Sequence, residues 1–353
     1  MDKLSLKAEE KLTGHLYGVG FSAQSDQDFK KVIEPLAERF QKNNIPLDIF
    51  ADKVCLDAGC GGGRGTVFML QNGAKEVFSI DIDQQLVDYA KARVEELGFQ
   101  NAHVSLNSIL DLPFEDEKFD IVFCNGVIHR TDNPDKALLE LTRVLKPGGH
   151  LFLYTLGAGG INYHLMDWIR KVLAGVDIEK SIKYLDLIEP NPLKSGSYLD
   201  DWFMPIFRRY KAEDVTARLQ SLGYENCEVL KFGTVYDTSQ RKNAGEREIM
   251  GEGDLRFFCK KTGSIDSSAQ ALPDVNGQGS QYDYPRAFEG LNKKYEQMRK
   301  LLDLKFESDL VMKLLTVRSL QDKVRDLLKQ EASFDLPAYS AHIDTVISQL
   351  ESF

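Results

Sequence analysis

Three groups of side chains in this sequence have types and spacing that could do chemistry. They are the glycines at 59, 61 and 63 behind Asp57, an acid at Asp81, and the stretch from Asn125 to His129. The run 54–65 (V-C-L-D-A-G-C-G-G-G-R-G) reads as a buried strand ending in a loop that opens a helix. Its glycines allow positive φ and let backbone approach a ligand with no Cβ in the way. The spacing is G-x-G-x-G, and Arg64 stands where a dinucleotide fingerprint has its third glycine. Asp57 is a poor neighbour for a pyrophosphate; it suits a ligand with a cationic or amine-bearing end. About twenty residues beyond the loop, the run 76–83 reads as a second strand ending in acid, where a carboxylate binds ribose hydroxyls. His129 is the candidate general base toward a hydroxyl or acid acceptor, since imidazole titrates near neutrality. Its alternative is a packing residue. Asp132, Asn133 and Asp135 read as caps around a helix start rather than as a divalent-metal trio, so no metal is expected.

The elements that must position these groups follow from periodicity. From about 51 to 262 the chain alternates strand and helix, which implies a parallel sheet with right-handed crossovers. Helices are predicted over 84–97, 134–145 and 211–222, and strands over 226–232 and 254–260. Before this core, residues 1–50 are polar and helical in pattern, with Ile33, Leu36, Ala37 and Phe40 on one face, and read as a cap or lid. An insertion at 156–210 breaks the alternation and is rich in aromatics. Residues 263–285 loosen into Ser, Gly, Gln and Asp and read as a linker. Beyond it, 286–353 carries apolar stripes at helical spacing: Phe288, Leu291, Tyr295, Met298 and Leu302, then Leu310, Leu314, Val317, Val324 and Leu328. Amphipathic helices must bury a face. The expectation is burial on the α/β core or in a homodimer through these C-terminal helices.

At 353 residues, 42% hydrophobic and 28% charged, the composition is that of an ordinary globular protein. A net charge of −10 argues against a broad nucleic-acid footprint, which needs clustered Lys and Arg. No apolar run approaches the roughly 20 residues of a membrane span, and the N-terminus shows no signal-peptide pattern. The five cysteines (55, 60, 124, 227 and 259) lack metal-ligand spacing and read as reduced thiols of a cytoplasmic protein.

The glycine loop, the acid-ended second strand, and the D-L-P-F (111–114), F-D-I-V (119–122) and R-V-L-K-P-G-G (143–149) elements occur here in one order. Together they resemble the class I, Rossmann-like S-adenosylmethionine-dependent methyltransferases, small-molecule branch. The resemblance implies a seven-stranded, doubly wound, mostly parallel α/β sheet whose last two strands are antiparallel at the edge, with the helical C-terminal region added. It implies S-adenosyl-L-methionine as cofactor. Asp57 with the loop Gly59, Cys60, Gly61 and Gly63 would receive the methionyl end, and Asp81 the ribose. Ile82 would lie against adenine, with Ser108 and Ile109 as weak substitutes for an acid at its amine, and Asn125 near the sulfonium. Tyr17 and Phe21 in the N-terminal segment, with Tyr163 and Trp202 in the insertion, are the candidate lid or acceptor-binding residues. The reaction expected is in-line methyl transfer to an O, N or C nucleophile of a small molecule. The alternatives are a protein or RNA methyltransferase docking through the tail, and a non-catalytic S-adenosylmethionine-binding protein.

Overall fold

The structure is a computed structural model, described over residues 8–22, 26–189, 191–231, 251–266, 270–273, 289–329 and 335–353. Two helices, α1 (Ala8–Ser22) and α2 (Asp26–Lys42), precede β1 (Val54–Ala58), α3 (Arg64–Gln71), β2 (Glu76–Asp81), α4 (Gln84–Glu96), β3 (Ala102–Leu106) and β4 (Phe119–Asn125). Then follow α5 (Pro134–Val144), β5 (Leu145–Leu156), the helices α6 (Gly160–Val172), α7 (Ile178–Ile188), α8 (Pro192–Phe203) and α9 (Ala212–Ser221), and the strands β6 (Tyr224–Glu225) and β7 (Asp254–Lys261). The tail holds α10 (Glu289–Phe306), α11 (Leu310–Lys329) and α12 (Leu336–Ser352).

Seven strands form one sheet in the order β3-β2-β1-β4-β5-β7-β6, with β7 antiparallel to both neighbours. Successive residues of the central strands face opposite layers, and both layers are covered. Cys55, Ile121 and Phe123 join Phe40, Phe50, Phe68 and Phe152 on one face. Leu56, Val122 and Cys124 join Leu138, Leu141 and Leu219 on the other. A strand buried on both faces reads as a continuous apolar run, which is why these segments stand out in the sequence. Helix starts are equally local. Asp83 caps α4 by accepting from Leu86 N, and Asn133 caps α5 by accepting from Lys136 N with Pro134 in the first turn.

One strand differs from expectation, and β5 carries a bulge. β5 starts at Leu145, because the chain pairs Phe119 with Leu145 and then Ile121 with His150, carrying the K-P-G-G segment as a bulge. A Cβ on Gly149 would lie 2.8 Å from the Asp120 carbonyl, so only glycine lets the bulge close. Of the strand predicted over 226–232, the described residues keep only an isolated bridge from Val229 to Phe257; the paired strand lies just before it, at Tyr224–Glu225, and Asn226 at φ +58 breaks the run.

The larger correction concerns the helices. Among the described residues before β1, the two helices join different cores: Phe29, Ile33, Leu36 and Phe40 of α2 pack on the sheet, whereas Leu16 of α1 joins a separate helical core. That core merges the insertion and the tail. Ile161, Leu165, Trp168 and Ile169 of α6 and Tyr198 and Trp202 of α8 bury together with Tyr295, Met298, Leu314, Val317, Val324 and Tyr339 of the tail. Polar bonds stitch the same seam. Trp168 Nε1 donates to the Tyr295 carbonyl at 3.0 Å, Trp202 Nε1 donates to Gln321, and Arg325 pairs with Asp201 at 3.2 Å. The tail stripes are therefore covered inside the chain, by the insertion. Phe288, the Leu328 side chain and most of the 263–285 segment lie outside the described residues.

Candidate functional site

The carboxyl ends of β1, β2 and β4 open onto one cavity of about 360 Å³, walled on the far side by α1 and α8. Its floor is the glycine loop. Gly59 takes φ +80 and a Cβ there would strike the Val127 side chain at 2.5 Å, so the turn between β1 and α3 requires glycine. A Cβ on Gly61 would meet no protein atom within 4 Å, and Gly61 lines the cavity. That open cradle is the kind a bound ligand fills.

Two acids face this space. Asp81, at the end of β2, accepts from Gly61 N at 2.8 Å and Asp83 N at 3.1 Å, which fixes its carboxylate beside the loop. Burial pushes its carboxyl up to about 6 against those hydrogen bonds. Asp57 accepts from Thr66 Oγ1 at 2.8 Å, and a Cβ on Gly65 would fall 2.7 Å from its Oδ2. Burial raises Asp57 further, to about 7, with the Thr66 hydrogen bonds and the Arg64 charge working the other way. A buried acid held this high is one whose charge a cationic ligand group would restore.

Asp57, Gly59, Cys60, Gly61, Asp81, Ile82, Ser108, Ile109, Asn125, His129 and Tyr17 all line the cavity. Ser108 spends its Oγ on Leu110 N at 3.2 Å. Gly63 is not at the wall: at φ +86 it starts α3, and a Cβ there would sit 3.2 Å from the Ala90 methyl of α4. Tyr163 and Trp202 do not line it either. Tyr163 packs edge-on to Phe207 under Arg209, and Trp202 stacks on Tyr198 at 4.4 Å inside the helical core. The Phe21 side chain lies outside the described residues. Asp132, Asn133 and Asp135 do not converge as ligands: Asn133 caps α5, and Asp135 holds Arg218 through both oxygens at 2.8 Å.

His129 sits in a short 3-10 turn, Ile128–Arg130, just past β4, and is 2% exposed. Its Nδ1 lies 3.4 Å from Thr155 Oγ1 and its ring is edge-on to Tyr154. Burial, and then the Arg130 charge, hold its imidazole well below the ordinary range. The neutral form is favoured, so accepting a proton here is uphill.

Sequence reasoning missed several wall residues: Glu10, Thr13, Gly14, Arg64, Arg130, Tyr154, Asp200 and Arg256. Arg130 could have been suspected from its place beside His129. Asp200 had no local signal, because α8 reaches the cavity only through tertiary packing. Asp200 Oδ1 accepts from Tyr17 Oη at 2.9 Å and from Arg130 Nη2 at 2.6 Å. Arg256 pairs with Asp254 at 2.9 Å and lies 4.0 Å over the Tyr154 ring.

Residues 56–153 match the family described as "Methyltransferase domain". Methyltransferase GfsG of Streptomyces halstedii is 25% identical over 160 residues, covering 44% of this chain and 57% of that protein. A ubiquinone biosynthesis O-methyltransferase of Coxiella burnetii is 29% identical over 125 residues, covering 35% and 51%. The chain thus spans about half the length of these curated relatives. Among solved structures, a SAM-dependent methyltransferase from Aquifex aeolicus aligns with TM-score 0.41 and 18% identity, over 68% of this chain and 100% of that one. Among the described residues, no helix is long and apolar enough to cross a membrane.

Proposed function

We propose that this chain, whose residues 56–153 match a methyltransferase domain family, is an S-adenosylmethionine-dependent methyltransferase acting on a small-molecule acceptor. The observation that carries the reading is the convergence of Asp57, Gly61 and Asp81 on one cavity, with the Gly61 cradle open. When bound, S-adenosylmethionine supplies a sulfonium methyl group that passes in line to a nucleophile. Asp57 and the loop backbone accept and orient the methionyl end. Asp81, already anchored by two backbone N–H groups, accepts from the ribose. Ile82 and Ile109 offer apolar walls to the adenine, with the Ser108 hydroxyl beside them. Asn125 and His129 stand on the acceptor side, where His129 stays neutral and orients more readily than it ionises. α1 and α8 wall the acceptor side, which suits a step governed by positioning.

The net charge of −10 supports a small molecule over nucleic acid. Five free cysteines, all buried, support a cytoplasmic location. A homodimer would have to use surface left outside the helical core, such as Leu304 and Phe353, both largely exposed.

Calorimetry on the full chain tests the cofactor. Asp81→Ala should weaken S-adenosylmethionine binding by about 1.5–3 kcal/mol, the worth of hydrogen bonds to a charged group. Gly61→Val should block it by filling the cradle. Undiminished binding in both variants would sink the assignment. Labelled S-adenosylmethionine incubated with a metabolite extract then identifies the acceptor.

A further inference from the structure

We propose that Asp200 is a positioning residue that seats helix α1 against the cofactor-binding corner and sets how fast the nucleoside ligand leaves. The inference rests on the cofactor reading above. Its basis is the convergence of three distant segments on one oxygen. Asp200 Oδ1, from α8, accepts both the Tyr17 hydroxyl of α1 and the Arg130 guanidinium of the turn after β4.

Each partner has a reason to need that oxygen. Arg130 is 5% exposed; it also donates to the Ile206 carbonyl at 3.3 Å and lies 4.3 Å from the centre of the Phe207 ring. A buried guanidinium requires a counter-charge, and Asp200 supplies it at 2.6 Å. Burial and the Asp200 charge together raise the Tyr17 hydroxyl above its ordinary range, which keeps it a donor.

The other side of α1 fixes what this hold accomplishes. A Cβ on Gly14 would lie 3.1 Å from Asp83 Cβ, and one on Gly18 would lie 3.1 Å from Asp83 Oδ1 and 3.2 Å from Gln85 Oε1. Glycine at both positions thus lets α1 press onto the start of α4, two residues past Asp81. Tyr17 lies between those two glycines in sequence, and Thr13, Gly14 and Tyr17 form part of the cavity wall. So α1 spans from the ribose-side acid to Asp200, closing the cavity between them. On the opposite side of those close glycine contacts, Asp200 gives α1 a charged hydrogen bond at Tyr17. α8 is in turn anchored by the tail through Trp202–Gln321 and Asp201–Arg325. The helical body thereby acts on the cofactor site without touching the glycine loop.

The test measures release of S-adenosylhomocysteine from the full chain by stopped-flow fluorescence. Asp200→Ala should speed release about tenfold, as loss of a charge-assisted hydrogen bond implies, with association little changed. Tyr17→Phe should speed it a few-fold, and Asp200→Glu should restore much of the wild-type rate. Unchanged release in Asp200→Ala, with only a lowered melting temperature, would reduce Asp200 to a structural ion pair and overturn the proposal. Should Asp200→Ala fail to fold, Tyr17→Phe, which removes a single hydroxyl, decides: an unaltered release rate overturns it. Absence of S-adenosylhomocysteine binding by the unaltered chain overturns the cofactor reading itself, and this inference with it.

Discussion

The two walls of the cavity are built by different means. On the sheet side, local structure does most of the work: Gly59 at φ +80, the open Gly61, Asp81 fixed by the Gly61 and Asp83 N–H groups at the end of β2, and Asp57 held by the nearby Thr66 hydroxyl at the end of β1. On the helical side, side chains do it. Tyr17, Arg130 and Asp200 come from segments up to 183 residues apart and meet only because a second hydrophobic core brings them there. A wall made of backbone is specified by a few adjacent residues. A wall made of packed helices is specified by everything beneath it, and so should be disturbed by changes far from the ligand.

The strongest way to break that contrast is to empty the helical core. Trp202→Ala removes a ring stacked on Tyr198 and bonded to Gln321, and should destabilise the chain by about 3–5 kcal/mol. Urea denaturation followed by far-UV dichroism would measure it, with S-adenosylhomocysteine affinity measured alongside. If the helical side is a dependent wall, affinity weakens as well, although Trp202 is not at the cavity. Full affinity at the lowered stability would mean that the sheet side binds the cofactor unaided.

A second prediction sharpens the sheet side through pH. Asp57 and Asp81 titrate near 7 and near 6 in the folded chain, above their unfolded range of about 4. Between those limits the folded state holds more protons, so their contribution to stability is full below about pH 4. It is lost as pH rises through about 6 and 7. Ligand binding runs the opposite way. A cationic amine binds the Asp57 carboxylate, so affinity should climb by up to about tenfold per unit toward pH 7, then fall once the ligand's α-amino group loses its proton at about pH 8. Calorimetry across that range would show the slope, and Asp57→Asn should flatten it. A sloped profile that survives in Asp57→Asn would place the linked proton elsewhere.

The same division explains what could be read from the sequence. The glycine turn after β1 and the capped starts of α4 and α5 are legible because each is a local device in which one residue type meets one backbone need. Both faces of the sheet were legible because burial on two sides leaves continuous apolar strands. The tail stripes were visible as stripes, but periodicity names a face and not its partner, so the insertion that covers them went unseen. An aromatic-rich insertion reads equally as lid or as core from sequence, and Trp202 and Tyr163, at 2% and 3% exposure, lie in the interior. Asp200 was invisible because nothing near it in sequence differs from an ordinary helix surface. Gly63 looks like its loop neighbours in sequence, although its glycine meets a packing requirement against Ala90.

Gly63 gives the smallest effect and the finest separation. Its φ of +86 strains any residue with a Cβ, and that Cβ would sit 3.2 Å from the Ala90 methyl. Gly63→Ala should therefore cost about 1–2 kcal/mol of stability from the left-handed backbone, plus a small adjustment of α4. It should leave cofactor affinity nearly unchanged, because the residue does not line the cavity. Gly61→Ala is the matched control: its φ of +51 carries a similar strain, yet its Cβ meets no protein atom and enters ligand space. The two variants should lose comparable stability and differ in affinity. Thermal melts and calorimetry on the pair measure both quantities. Equal affinity losses would mean that the loop transmits strain as a unit, and that the backbone wall is less local than its geometry suggests.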